Sequence, residues 1–307
     1  MDLKKIVFMG LGAIGTAYAS AICKLERVEA WAILDGERKS SYEKEGVTAN
    51  GEPLNIKYVK PDEGKGDAEL IIVSVKAGQL EQAIKDMKSH VGENTLILSL
   101  MNGIESEEAI AAEFGDKNII YGLSVAIDAL RQGRATTFTT LGIIRFGRAD
   151  NREKDEAVKA ISALFDEAGI TYEVPDDMIY AIWKKFMLNC GVNQVSAVLG
   201  LDFGLLRSIP EAGELVEAAM RECAAVAAKS GAKLGESDVL EWRQIVSVLS
   251  SGGKTSMLQD VEAGRPTETD IMGGEVARRG EKYGIPTPVN SLLCTCIKAL
   301  EKKADMS

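Results

Sequence analysis

Apolar and polar positions change rhythm once along this chain of 307 residues. Through residue 174, short runs rich in Ile, Val and Leu alternate with amphipathic stretches, the pattern of strands and crossover helices in a parallel sheet. Such runs occupy 6–9, 28–34, 69–76, 95–101, 119–127, 134–140, 141–146 and 170–174. Residues 80–87 and 154–169 have helical spacing, the second closed by Gly169, and Asn50-Gly51 signals a hairpin in a small excursion. Beyond Pro175 the spacing is helical, with helices expected over 178–199, 210–229, 239–249, 272–283 and 289–302. The pattern predicts an α/β chain of two domains: a parallel-sheet domain over 1–174 and an all-helical domain over 175–307.

The first strand runs straight into Gly10-Leu11-Gly12-Ala13-Ile14-Gly15 and a small-residue helix follows at once. This strand, turn and helix order makes the sheet domain Rossmann-type, because a dinucleotide pyrophosphate needs it. Gly10 permits the tight turn, Gly12 removes a side chain from the path of the pyrophosphate, and Gly15 lets the helix approach the strand. The phosphates then rest on the unpaired amides of the helix N-terminus. Asp35 ends the second strand, at the distance from the glycines where a carboxylate meets the adenosine ribose hydroxyls. An acid there repels a 2′-phosphate and favours NADH, whereas Arg38 and Lys39 offer a 2′-phosphate two cations if the loop turns them inward. The cofactor class is NAD(P)H, with NADH favoured. Lys76 ends the third sheet run and Asn102 follows the fourth, on the carboxyl side where ligands of such sheets bind. Asn102-Gly103 equally suits a plain turn.

In the helical half, residues 178–199 are apolar around most of the circumference, yet Lys185, Asn189 and Asn193 recur at i, i+4 and i+8, and Ser196 continues the stripe. Trp183, Met187 and Cys190 take the other side. Polar groups in a buried helix need partners, since each one left unpaired costs about 1–3 kcal/mol. A polar ligand or neighbouring helices would satisfy them. A second cluster, Ser256-Met257-Leu258-Gln259-Asp260, precedes Thr267-Glu268-Thr269-Asp270, where Thr267 and Asp270 have the spacing of a helix-capping box.

Composition narrows the function. A formal net charge of −10 argues against nucleic acid as partner. The five cysteines are scattered, without Cys-x-x-Cys, which points to a reducing compartment and no metal site. Neither a leader nor a long apolar run appears, so a cytoplasmic protein with no membrane association is expected. The single histidine, His90, lies in a polar junction and reads as a solvated surface residue, so another group must handle any proton transfer.

Several blocks together resemble the ketopantoate reductase family, the 2-dehydropantoate 2-reductases. They are the glycine motif, Val75-Lys76-Ala77, Asn102-Gly103, Trp183-Lys184-Lys185 with Asn189-Cys190 and Asn193, Ser256-Met257-Leu258-Gln259-Asp260, and Thr267-Glu268-Thr269-Asp270. The resemblance implies a Rossmann domain, a helical domain, an active site between them, and reduction of 2-dehydropantoate to pantoate in pantothenate synthesis. It implies Lys185 as general acid, Asn189, Asn193 and Ser256 on the substrate, and Asn102 bridging substrate and cofactor. Lys76 falls beside the cofactor, and Glu268 by the nicotinamide and the substrate hydroxyl. An ordinary lysine is protonated near neutral pH and so serves both as clamp and as proton donor.

Three positions depart from that family. Leu34-Asp35 stands where an arginine often meets the 2′-phosphate, and Phe203-Gly204 where an asparagine is often found. Asp128 stands where small uncharged residues are usual. With an aromatic face in place of a polar partner, the alternative is an NAD-dependent D-2-hydroxyacid dehydrogenase of the same family acting on branched 2-keto acids. A nicotinamide-sensing regulator without chemistry is a further reading, which the Lys185, Asn189, Asn193 and Glu268 set opposes. The partner is thus a small 2-keto acid, and the apolar helical surface allows a homodimer without requiring one.

Overall fold

The structure is a computed structural model that describes residues 2–153 and 155–306. It divides into two units, one running to Met178 and the other starting at Ile179. No helix among the described residues is long and apolar enough to cross a membrane.

The first unit contains β1 (Lys5–Met9), α1 (Ala13–Ile22), β2 (Glu29–Ile33), α2 (Gly36–Glu45), β3 (Thr48–Ala49), β4 (Glu52–Pro53) and β5 (Lys57–Val59). There follow β6 (Leu70–Val73), α3 (Leu80–Met87), β7 (Leu96–Ser99), α4 (Ser106–Phe114) and β8 (Ile119–Val125). The unit closes with β9 (Leu130–Gln132), β10 (Ala135–Thr137), β11 (Ile143–Gly147), α5 (Glu156–Ala168) and β12 (Tyr172–Glu173). The main sheet has the order β12-β11-β8-β7-β6-β1-β2-β5. Every pairing in it is parallel except β8 with β11. Alternate residues of each central strand enter opposite cores. Ile6, Phe8, Leu70 and Ile72 pack with Tyr18 and Ile22 of α1 and Phe165 of α5, whereas Val7, Met9, Ile71 and Val73 pack with Met87 of α3 and Ile110 of α4. Burial on both faces is why these strands read as unbroken apolar runs.

The Asn50-Gly51 excursion is a hairpin in which both residues have positive φ, 49° and 85°, as a two-residue turn between β3 and β4 requires. It belongs to a second, four-stranded sheet of order β4-β3-β10-β9, so the 134–140 run does not join the main sheet. In that sheet β3 pairs in parallel with β10. The 69–76 run stops as a strand at Val73, and Lys76 lies in the exposed turn beyond it.

His90 is a correction: it is 3% exposed rather than solvated, with Nε2 3.0 Å from the Lys60 carbonyl oxygen. Burial lowers its pKa.

In the second unit, α6 (Met178–Leu188) leads through a π-helical stretch, Asn189–Asn193, into α7 (Gln194–Leu199). The helices α8 (Phe203–Ser208), α9 (Pro210–Lys229), α10 (Glu236–Leu240), α11 (Trp242–Ser247), α12 (Ser256–Glu262), α13 (Gly273–Tyr283) and α14 (Pro288–Asp305) complete it. The 239–249 helix is therefore two short ones. Gly191 lets the π stretch settle on α9, because a Cβ there would stand 2.6 Å from Met220 Cγ and 2.9 Å from the Val216 carbonyl oxygen.

The connection from β7 to α4, which carries Asn102, is closed by side chains at its two ends. Ser99 Oγ lies 2.9 Å from Ser106 Oγ, and Ser106 Oγ donates to Glu107 Oε2 at 2.7 Å. Glu107 is buried, and burial raises its pKa to about 7 against hydrogen bonds that pull it down. A carboxyl raised in the fold contributes stability that is complete below its unfolded pKa and is lost as pH rises through the folded one. Between pH 5 and pH 8, the unfolding free energy of Glu107→Gln should therefore gain about 2–3 kcal/mol on the wild type. Urea titrations at the two pH values measure this, and a difference that does not change with pH contradicts it.

Candidate active site: a glycine turn and an interrupted helix

Gly10 has φ +103°, and a Cβ on it would stand 2.8 Å from the Ser74 carbonyl oxygen. Ser74 Oγ donates to the Gly10 carbonyl at 2.9 Å. A Cβ on Gly15 would overlap both that carbonyl oxygen and Ser74 Oγ. The fold itself therefore demands glycine at 10 and 15. Gly12 is different, for its φ of −72° suits any residue and the nearest protein atom to an added Cβ is 3.8 Å away. Its bareness leaves room for something outside the protein. No side chain caps α1 and its first turn holds no acid, so the helix's own side chains leave its amide end uncompensated, as a pyrophosphate needs. Ala13 and Ile14 border this end half-buried, whereas Leu11 is buried in the core and offers only its backbone.

Asp35 caps α2: Oδ1 accepts the Arg38 N–H at 2.8 Å and Oδ2 accepts Arg38 Nε at 2.5 Å. The Arg38 backbone and side chain hold its pKa below the ordinary value. Lys39 Nζ lies 2.9 Å from Glu63 Oε2. Both cations weighed for a 2′-phosphate thus have carboxylate partners. Gly10, Lys76 and Asn102 all follow the carboxyl ends of β1, β6 and β7, which are neighbours in the sheet. Asn102 is half-buried, and its turn needs Gly103, whose φ is +98°.

In the helical unit, Lys185, Asn189 and Asn193 are half-buried among the buried Trp183, Phe186, Met187, Cys190 and Val192. The helix expected over 178–199 is not uniform. Asn189 and Asn193 are the first and last residues of the π stretch, a distortion often found at functional sites and invisible to i+4 spacing. Gln194, which sequence reasoning passed over, is fully buried; its Nε2 donates to the Cys190 carbonyl at 2.7 Å and to Asn290 Oδ1 at 3.1 Å, fastening the π stretch to α14. Ser196 leaves the stripe, because it is buried and donates to the Leu201 carbonyl at 2.6 Å. The neighbouring Lys184 is an anchor: burial would lower its pKa, but Glu241 at 2.6 Å and Asp238 at 3.3 Å hold it up at about 12.

Ser256 is exposed at the start of α12, whose cap is the buried Thr255. The capping box expected at Thr267 is absent. Thr267 Oγ1 accepts the Thr269 N–H at 3.2 Å, a 3-10 turn spans Thr269–Ile271, and α13 starts only at Gly273. Helix capping therefore does not account for the half-buried Glu268. Phe203 begins α8, where its N–H donates to the Gly253 carbonyl at 2.9 Å and a Cβ on Gly253 would crowd its ring at 3.0 Å. Asp128 has a structural role: its carboxylate accepts the N–H groups of Thr139 and Thr140 at 2.9 Å, and the Thr139 hydroxyl, closing the loop that enters β11.

Residues 6–151 match the family profile described as ketopantoate reductase PanE/ApbA, and residues 177–301 match its C-terminal counterpart. The 2-dehydropantoate 2-reductase of Streptococcus pyogenes serotype M3 is 27% identical, over 96% of this chain and 97% of its own. Among solved structures, D-mandelate dehydrogenase with NADH and anilino(oxo)acetate superposes with a TM-score of 0.87 at 25% identity, covering 98% of this chain and 99% of that one. The 2-dehydropantoate 2-reductase of Methylococcus capsulatus gives 0.83 at 26% identity, covering 99% and 98%. Both profiles describe one family, and between them they account for the sheet unit with its glycine turn and the helical unit with its π stretch. The chain belongs to the ketopantoate reductase family.

Proposed function

We propose that the protein reduces the C2 carbonyl of 2-dehydropantoate to the alcohol of pantoate, with NADH as the preferred reductant. The observation that carries this reading is the set Lys185, Asn189 and Asn193, polar and half-buried on a largely buried helix that departs from α geometry where the two asparagines stand. When bound, the reduced nicotinamide supplies the hydride that reaches C2. The chain's own residues do the rest. The amides after Gly12 hold the pyrophosphate, Asp35 turns its carboxylate to the ribose hydroxyls, and Lys76 and Asn102 flank the cofactor. Lys185 stabilises the charge that develops on the C2 oxygen and gives it a proton. Asn189, Asn193 and Ser256 orient the substrate, and Glu268 accepts from its hydroxyl. The NADH preference is supported by the pairing of Arg38 with Asp35 and of Lys39 with Glu63, which a 2′-phosphate would have to break.

A second reading, an NAD-dependent D-2-hydroxyacid dehydrogenase acting on branched 2-keto acids, is favoured by Phe203 and by the likeness to D-mandelate dehydrogenase with NADH. Initial rates with NADH and NADPH, each with 2-dehydropantoate and with 3-methyl-2-oxobutanoate, separate the two. The expected result is a kcat/KM at least about tenfold higher with NADH, and higher with 2-dehydropantoate than with 3-methyl-2-oxobutanoate, which lacks the whole hydroxymethyl group and so leaves a polar partner of the site unpaired. A preference for 3-methyl-2-oxobutanoate selects the dehydrogenase. Lys185→Ala should lower kcat by about 10²–10⁴ with NADH affinity retained. A variant that turns over like the wild type removes Lys185 from the mechanism.

A further inference from the structure

The second sheet has no part in the chemistry above, yet it sends an arginine into the glycine turn. Arg131 of β9 is half-buried; Nη1 donates to the Leu11 carbonyl and, at 3.1 Å, to Thr16 Oγ1. Its Nη2 donates to the Tyr42 hydroxyl at 2.8 Å, and Nε to the Gly133 carbonyl at 2.8 Å. All these acceptors are neutral. Among the described residues no carboxylate pairs with Arg131, whereas Arg27, Arg38, Arg145, Arg148 and Arg152 each have one. Arg207 is likewise held by neutral groups, at Val246, Ser247, Leu249 and Ser251, whereas the neutral partners of Arg131 include the glycine turn.

The Leu11 carbonyl shares a planar peptide with the Gly12 N–H, and in a trans peptide the two point opposite ways. Holding the carbonyl on one side therefore fixes the direction of the Gly12 N–H on the other. A charged donor on the carbonyl also polarises the N–H, so the two hydrogen bonds strengthen each other. Thr16 Oγ1 donates to the same carbonyl at 3.2 Å, which fixes the peptide from within α1. Arg134 of the adjoining turn bonds Ser41, pairs with Glu45 at 3.5 Å and covers the Tyr42 ring at 4.6 Å from its centroid, tying α2 to the same sheet.

We propose that Arg131 is a positioning residue for the cofactor's pyrophosphate, acting through the Leu11–Gly12 peptide, and that the second sheet serves to hold it there. The proposal rests on the dinucleotide reading of the glycine turn.

The test measures NADH binding by fluorescence titration, and displacement of NADH by ADP and by adenosine, for the wild type, Arg131→Gln, Arg131→Lys and Tyr42→Phe. Arg131→Gln should weaken NADH and ADP by about tenfold or more while adenosine changes by less than about twofold, and Arg131→Lys should recover part of the loss. A purely structural role would weaken ADP and adenosine alike, and that result overturns the proposal, as does an unchanged NADH affinity. Should Arg131→Gln fail to fold, Tyr42→Phe decides, with a selective loss of ADP expected and no selective loss refuting. A wild type that binds no NADH would instead bring down the cofactor reading itself.

Discussion

The bond from Ser74 to the Gly10 carbonyl joins the ends of β1 and β6, and it has room only because Gly15 brings α1 in without a side chain. Much of the Rossmann unit depends on this close approach. It sets α1 against Ile6 and Phe8, and the helix's amide end carries no side-chain cap. A methyl group on either outer glycine must push backbone aside, whereas one on Gly12 would touch only the Ser74 carbonyl oxygen, at an ordinary 3.8 Å. The pattern separates the two glycines that the fold requires from one that it does not.

The helical unit solves a different problem, that of keeping polar groups accessible on a helix packed against its neighbours. The π stretch breaks the regular ladder where Asn189 and Asn193 stand, and Gln194 meets the Cys190 carbonyl with its side-chain amide. Buried amides earn their place when every donor is used, because an unsatisfied one is costly. The link from Gln194 through Asn290, which in turn donates to the Ala219 carbonyl and Glu222, spreads that satisfaction over α7, α9 and α14.

What could be read in advance follows from local rules. Unbroken Ile, Val and Leu runs marked the central strands because burial on both faces needs no alternation, and Asn50-Gly51 marked its hairpin through the positive φ it tolerates. Longer-range choices left no such mark. Residues Leu130–Gln132 form a strand only by pairing with β10, and α2 is polar throughout with no buried residue, so neither carries an apolar signature. The burial of His90 depends on a carbonyl thirty positions away. Among the candidate site residues, the glycines, Lys185 and the two asparagines stood out by spacing. Gln194 and Arg131 did not, since each acts through backbone groups supplied by distant or irregular chain.

The composition of the second sheet also orders events in time. Thr48 pairs with Ala135, and between them the chain runs through β5, β6, β7 and β8 of the main sheet. A non-local pairing of this kind must bear the entropy of closing a long loop before any contact repays it. During synthesis the glycine turn emerges with the first residues, but β10, which pairs with β3, and β9, which pairs with β10, are complete only at Thr137. A nascent chain therefore carries the glycine turn long before it carries the turn's complete surroundings, and the finished geometry of that turn becomes a late property of an early segment.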